Sequence, residues 1–247
     1  MSPEFFTYLV LGACAGGFIN GLSGTGTALF ALSFYLVVLD RVQAVAVVAF
    51  MAVLVGLQGL WIVRSEITKQ PGRLMRFLVP GLLGVPLGLS VLDAIDAGTL
   101  RIAIASLLIV YGVYFGLRGA LPAFSRRTPW IDSMVGFIGG FLGGAASVGG
   151  VIPAMWLSIR PWSKLETRSV SQPFNIAILT TAIGLLFLKG AYGRTALYAL
   201  AITIPSSFIA AQVGVLVFNQ LSDTSFRRLL ILLTFLMGLG IMTSEFF

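Results

Sequence analysis

The sequence predicts an all-α polytopic membrane protein made of two inverted repeats, each a re-entrant, broken helical hairpin followed by three transmembrane helices. Three observations carry this expectation. The chain of 247 residues is 57% hydrophobic and only 10% charged, with a mean hydropathy of +0.99, outside the range of soluble domains. Apolar runs long enough to cross a bilayer, roughly 20 residues, recur along its whole length. A Gly-rich element also occurs twice, AGGFINGLSGTGTALFALSF at 15–34 and IGGFLGGAASVGGVIPAMWL at 138–157. At a constant offset of 123 the copies share Gly16/Gly139, Gly17/Gly140, Phe18/Phe141, Gly21/Gly144, Gly26/Gly149 and Ala31/Ala154.

In chain order, the first repeat covers 1–118. It opens with an apolar stretch at 6–39 that Gly, Ser and Thr break near Ser23–Gly26, and continues with helices at 42–63, 74–92 and 100–118. A basic linker, GALPAFSRRTPWID, occupies 119–132. The second repeat, 133–247, restates the order with a broken hairpin at 133–159 and helices at 169–188, 195–217 and 227–244. Further echoes near an offset of 126 pair Gly88 with Gly214 and Leu100–Arg101 with Phe226–Arg227.

Length and charge decide what the broken stretches are. As one helix, 6–39 would be about 51 Å long at 1.5 Å per residue, against a hydrocarbon core of about 30 Å. If both broken stretches enter and leave by one face, only Arg41, Arg101, Lys189 and Arg194 of the 16 basic residues lie on one side, a split of 12 to 4. If both span, the split is 9 to 7. The positive-inside rule favours the first arrangement, with both termini outside and the loops at 64–73, 119–131 and 160–168 in the cytoplasm. One hairpin plus three crossings per half then inserts the halves in opposite orientation. The hairpin tips approach the midplane from opposite faces.

Composition also excludes. The net charge of +7 resides in short loops rather than on a helix face, so nucleic acid is not an expected partner; the lipid bilayer is. The single cysteine, Cys14, forms no intramolecular disulfide, and the absence of His and of Cys clusters leaves no metal site and implies no cofactor. All nine acids fall at segment ends or in loops, so the carboxylate relay of proton-coupled carriers is missing. Without a base beside a nucleophile, no catalytic residues and no enzyme are expected. The start, MSPEFFTYLV, lacks the basic region and cleavage site of a signal peptide.

The chemistry concentrates in the tips. Ser23, Gly24, Thr25, Gly26 and Thr27 in the first, and Ser147, Val148, Gly149 and Gly150 in the second, each lead into a second helix whose first N–H groups have no intrahelical partner. Helix N-termini carry partial positive charge and receive anions. Glycines let backbone approach a ligand, and hydroxyls add neutral donors. Such breaks at corresponding places in two membrane repeats mark a transporter's binding site. The competing reading is that Gly and Ser only permit close helix packing. Asn20, Gln172, Asn175 and Gln212 complete the candidate substrate-binding set, while Gln58 and Thr180–Thr181 read as structural. No basic side chain is expected at the midplane, so selectivity is expected from backbone and hydroxyl donors alone. Replacing Gly26 or Gly149 by Val is expected to block the site in a folded protein.

GGFINGLSGTGTAL and GGFLGGAASVGGVIPA resemble the duplicated signature of the TauE/SafE permeases, a family of sulfite and organosulfonate exporters, over essentially the full chain. The resemblance implies a multi-pass inner-membrane permease for a small sulfur oxyanion such as sulfite, a sulfonate, sulfoacetate or thiosulfate. Family copies commonly carry a Pro after the Gly cluster. Pro153 matches it, whereas the first half has Phe30 in that place, which implies half-sites of unequal shape. The alternative function is a passive channel with aquaporin-like opposed half-helices, although Asn-Pro-Ala tips are absent. A homodimer is left open as the association state.

Overall fold

The computed structural model describes residues 3–91, 97–117 and 124–246. All regular structure among these residues is helical: α1 Pro3–Ser23, α2 Thr27–Tyr35, α3 Arg41–Lys69, α4 Pro71–Val91 and α5 Ala97–Gly116, then α6 Pro129–Ala146, α7 Val151–Ser158, α8 Lys164–Leu188, α9 Arg194–Gln220 and α10 Asp223–Phe246. Five of them, α1, α3, α4, α8 and α9, are long and apolar enough to cross a membrane. The last residue of each of the expected helices 74–92 and 100–118, the stretch 93–96 between them and the linker residues 119–123 lie outside the described residues, as do Met1 and Phe247.

Local sequence sets the boundaries. Asp40 caps α3 by accepting the Gln43 N–H at 3.0 Å. Ser163 and Glu166 form a reciprocal capping box on α8. Gly190, at φ 75, ends α8 in the left-handed region that glycine tolerates. Pro129 opens α6, where a missing N–H costs nothing.

The broken stretches fold back on themselves. A Cβ at Gly12 would meet Tyr35 and one at Gly16 would meet Ala31 and Thr27, so α2 returns along α1. Gly139 likewise lies against Gly149 and Pro153, returning α7 along α6. One expectation needs correction. The first limb of the hairpin is not a half-helix: α1 has 21 residues, about 32 Å at 1.5 Å per residue, and only α2 and α7, with 9 and 8 residues, are short.

The halves interlock by exchanging helices. α1 runs alongside α9 in the same direction, Gly17 on Ser207 and Gly21 on Ala211. α6 runs alongside α4 in the same direction, Gly136 on Phe77, Gly140 on Gly81 and Gly144 on Val85. At these glycines a Cβ would overlap the neighbouring backbone, so small residues set the helix separation, as in other membrane interfaces. The third helices of the two halves cross antiparallel, Gly56 against Ile176 and Gly59 against Gln172. The fifth pair, α5 and α10, is also antiparallel, Gly112 against Phe235 and Gly238 against Ile109. Swapping the halves maps this set of pairings onto itself. α3 and α8 occupy the centre, and both carry long buried faces.

Candidate functional site

At the first tip α1 ends on Ser23, and Gly24 and Gly26 adopt φ of 81 and 90, values that favour glycine. Gly24 N–H donates to Asn20 O at 2.7 Å, and the Ser23 hydroxyl donates to Ile19 O or Thr25 O. Asn20 ties the tip together: its Nδ2 donates to Thr27 Oγ1 at 2.7 Å and to Ala52 O of α3 at 3.2 Å, while its buried Oδ1 has no partner among the described residues. No side chain caps the N-terminus of α2.

The second tip turns on Ser147, whose φ of 57 makes it a left-handed non-glycine residue. Its N–H donates to Gly143 O at 3.0 Å, and its buried hydroxyl has no partner among the described residues. Sparsely populated backbone of this kind gathers at ligand sites. α7 also lacks a side-chain cap.

The two tips touch. A Cβ at Gly150 would lie 2.8 Å from Thr25 Cβ and 3.1 Å from Asn175 Oδ1, so glycine is what lets tip meet tip. Between them is a cavity of about 10 Å³ lined by Thr27, Ser147, Val148, Gly150 and Asn175 among others. It has room for about one water molecule.

Beside the first tip lies a buried cation. Arg168, in the second turn of α8, is 0% exposed. Its Nε donates to Gln172 Oε1 at 2.9 Å, and its guanidinium stands 4.4 Å over the Phe218 ring. Both terminal nitrogens, Nη1 and Nη2, have no hydrogen-bond partner among the described residues. Gln172 Nε2 donates to Gly56 O at 2.8 Å, fixing the amide between α3 and α8. A Cβ at Gly24 would sit 2.5 Å from Gln172 Oε1 and 3.4 Å from Arg168 Cγ. The guanidinium stem, the amide and the tip thus form one cluster.

A family model described as sulfite exporter TauE/SafE matches residues 8–241. The chain belongs to the TauE/SafE family. A comparison with curated proteins found no match. Family membership and the five span-length helices make the chain a multi-pass membrane protein of a family of sulfite exporter permeases, which are transporters rather than enzymes.

In this TauE/SafE protein, most of the residues singled out from the sequence converge. Asn20, Ser23 and Thr25 are buried at or beside the first tip; Thr27, Ser147, Val148, Gly150 and Asn175 line the cavity between the tips with Gly26; Gly24 and Gln172 pack on each other. Gln212 does not join them. It is exposed and donates from Nε2 to Gln58 Oε1 at 2.9 Å, linking α9 to α3. Gly149 has a different role from the expected one: a Cβ there would lie 2.9 Å from Gly139 O and 3.1 Å from Gly143 Cα. It closes the hairpin, so Gly149→Val would open the fold rather than fill an anion site. Gly26, at φ 90, would also be strained as Val.

Arg168, assigned from the sequence to a loop, is buried beside the first tip, where only backbone and hydroxyl donors were expected. Its signal was present. Arg168, Gln172 and Asn175 follow i, i+4, i+7 spacing, one face of a helix. At the offset of 123 their counterparts are Val45, Ala49 and Ala52, all buried on α3. Along this pair of matching helix faces, the polar side chains belong to α8 alone.

Proposed function

We propose that the chain exports a small sulfur-containing oxyanion, of the sulfite, sulfonate, sulfoacetate or thiosulfate class, by alternating access, with the ion held between the two tips and Arg168. The observation that carries this reading is Arg168, its stem packed on the first tip and its buried guanidinium over Phe218 with two nitrogens unpartnered among the described residues. A buried charge without a partner costs several kcal/mol, and charged side chains inside membrane proteins persist where a transport pathway uses them. An oxyanion supplies the missing acceptors, because the guanidinium fork matches its geometry. The N-termini of α2 and α7 add partial positive charge. The hydroxyl of Ser147 adds a neutral donor.

The cavity between the tips, about 10 Å³, takes about one water and not a sulfite-sized ion. Loading therefore requires the tips to part, a movement that belongs to a carrier rather than to an open channel. The exchanged pairs α1–α9 and α4–α6, and the antiparallel pairs α3–α8 and α5–α10, support two repeats of inverted orientation. The returning limbs α2 and α7 support re-entrant hairpins.

The basic loops gather at one end, where Arg73 pairs with Glu166 and Arg160 with Asp132; the positive-inside rule assigns that end to the cytoplasm, in an inner membrane. Arg168 lies one helical turn from Lys164 at this end, so the ion is loaded from the cytoplasmic side. Cysteines introduced at Ser125 and Glu4, with the exposed Cys14 replaced by Ala, test the orientation. Position 125 is expected to react only from inside and position 4 only from outside; the reverse pattern contradicts the assignment.

With an inside-negative potential, efflux of a monovalent anion gains about 2.3 kcal/mol per 100 mV, so export needs no proton relay. In proteoliposomes, sulfite flux is expected to follow a valinomycin-set potential, with no requirement for a pH gradient once sulfite protonation is accounted for. Flux that appears only with a proton gradient at zero potential would reveal a proton site and overturn this energetics.

A further inference from the structure

Where α4 and α6 begin side by side, Gln70–Arg76, Ser125–Asp132 and Arg160–Trp162 enclose a cavity of about 360 Å³. It shares no lining residue with the cavity between the tips. Five arginines line it, Arg73, Arg76, Arg126, Arg127 and Arg160. Two are engaged. Arg160, 4% exposed, donates from Nη2 to Asp132 Oδ1 at 2.9 Å and to Thr128 Oγ1 at 2.6 Å, and its Nη1 donates to Arg126 O. Arg73 donates to Glu166 Oε1 at 2.7 Å and lies 4.5 Å over the Trp162 ring. These pairs use the two carboxylates at the pocket. Arg76, Arg126 and Arg127 are exposed and have no ion-pair partner among the described residues.

Chain orientation by basic loops requires only that charges lie on one side. It does not require three unpaired guanidinium groups around a cavity beside Arg160, whose Nη1 and Nη2 already have acceptors. The apolar surroundings narrow the ligand. Just past the pocket α4 presents Met75, Val79 and Leu83 outward, 48%, 50% and 66% exposed, and α6 presents Trp130 and Met134, 83% and 62% exposed. α4 is one of the helices long and apolar enough to cross the membrane, so this wall faces acyl chains while the arginines sit at its end, at headgroup depth. Basic pockets between membrane helices at that depth receive anionic headgroups.

We infer that this pocket binds an anionic phospholipid, its phosphodiester held by Arg76, Arg126 and Arg127 and its acyl chains lying along α4 and α6. The site is separate from the transport pathway, and its test does not use flux. Purified protein is placed in nanodiscs of phosphatidylcholine with and without phosphatidylglycerol. Its thermal midpoint is measured, and retained phosphatidylglycerol is counted by native mass spectrometry. Phosphatidylglycerol is expected to raise the wild-type midpoint by several degrees. In the combined variant Arg76→Gln, Arg126→Gln, Arg127→Gln the rise is expected to vanish and lipid retention to weaken on the order of 100-fold, about five-fold per arginine. The midpoint in pure phosphatidylcholine should stay the same, because these side chains are exposed. An equal rise in wild type and variant overturns the proposal. So does an equal rise from inorganic phosphate in phosphatidylcholine nanodiscs, which would make the pocket a site for soluble anions.

Discussion

Arg168→Gln is expected to abolish measurable sulfite export while raising the thermal midpoint of the anion-free protein. The two effects come from one cause. Arg168 is fully buried, its Nη1 and Nη2 lack partners, and its only polar contact among the described residues is the Nε bond to Gln172. Without ligand this guanidinium is an uncompensated buried charge, which costs several kcal/mol, so replacing it by a neutral amide is expected to stabilise the anion-free fold. With ligand the same replacement removes charge-assisted hydrogen bonds of about 1.5–3 kcal/mol, roughly a 10- to 150-fold loss of affinity. Flux in proteoliposomes and differential scanning of the anion-free protein read the two separately. Arg194→Gln, at an exposed residue, should change neither. A variant that transports normally, or that is destabilised without ligand, shows that Arg168 is a structural cation.

The second large effect falls on the helix pairs rather than on the site. Gly140→Val is expected to prevent recovery of a monodisperse, membrane-inserted protein. A Cβ at Gly140 would overlap the carbonyl oxygen of Gly81. The obstacle is backbone on a parallel helix, which cannot rotate aside as a side chain can. Separating α4 from α6 also loosens Gly136 and Gly144, which use the same close approach to Phe77 and Val85. Overpacking typically costs about 1–3 kcal/mol, and a clash that separates two helices along their length belongs at or above that upper end. Leu83→Val, on the exposed face of α4, serves as the control and should express as wild type. Recovery of Gly140→Val with wild-type stability would contradict the described α4–α6 packing.

Much of the fold was legible because hydropathy and repetition are properties of sequence. The duplicated Gly element located both helix breaks, at Ser23–Thr27 and Ala146–Val151. The exchange of α1 and α6 between halves was not legible, since the same glycines serve packing and turning alike. Only geometry separates Gly17, Gly21, Gly140 and Gly144, which face neighbouring helices, from Gly24, Gly26 and Gly150 at the tips. The length of α1 was missed because the break, not the limb, carries the signal.

At the site, the tip hydroxyls and the Gln172–Asn175 pair stood out as polar residues in apolar runs. Arg168 did not, because it lies where the apolar run begins and reads as a loop charge. Its depth comes from the capping box at Ser163 and Glu166, which starts α8 a full turn before the hydrophobic segment. Gln212 misled for the opposite reason. It sits inside an apolar run yet meets Gln58 on the outer surface, a pairing that requires knowing the face of α9.

The claim that a sulfur oxyanion is held by the tips and Arg168 is tested most directly by ligand-dependent stability. Thermal unfolding of purified wild-type protein is followed across sulfite, thiosulfate, sulfoacetate, sulfate and chloride, beside Arg168→Gln. A ligand at 100 times its dissociation constant adds about 2.7 kcal/mol to the folded state. The expected result is a midpoint that rises with sulfite or another sulfur oxyanion in the wild type, and a flat response in Arg168→Gln. A wild type indifferent to every anion, or a variant stabilised as strongly as the wild type, would contradict the account.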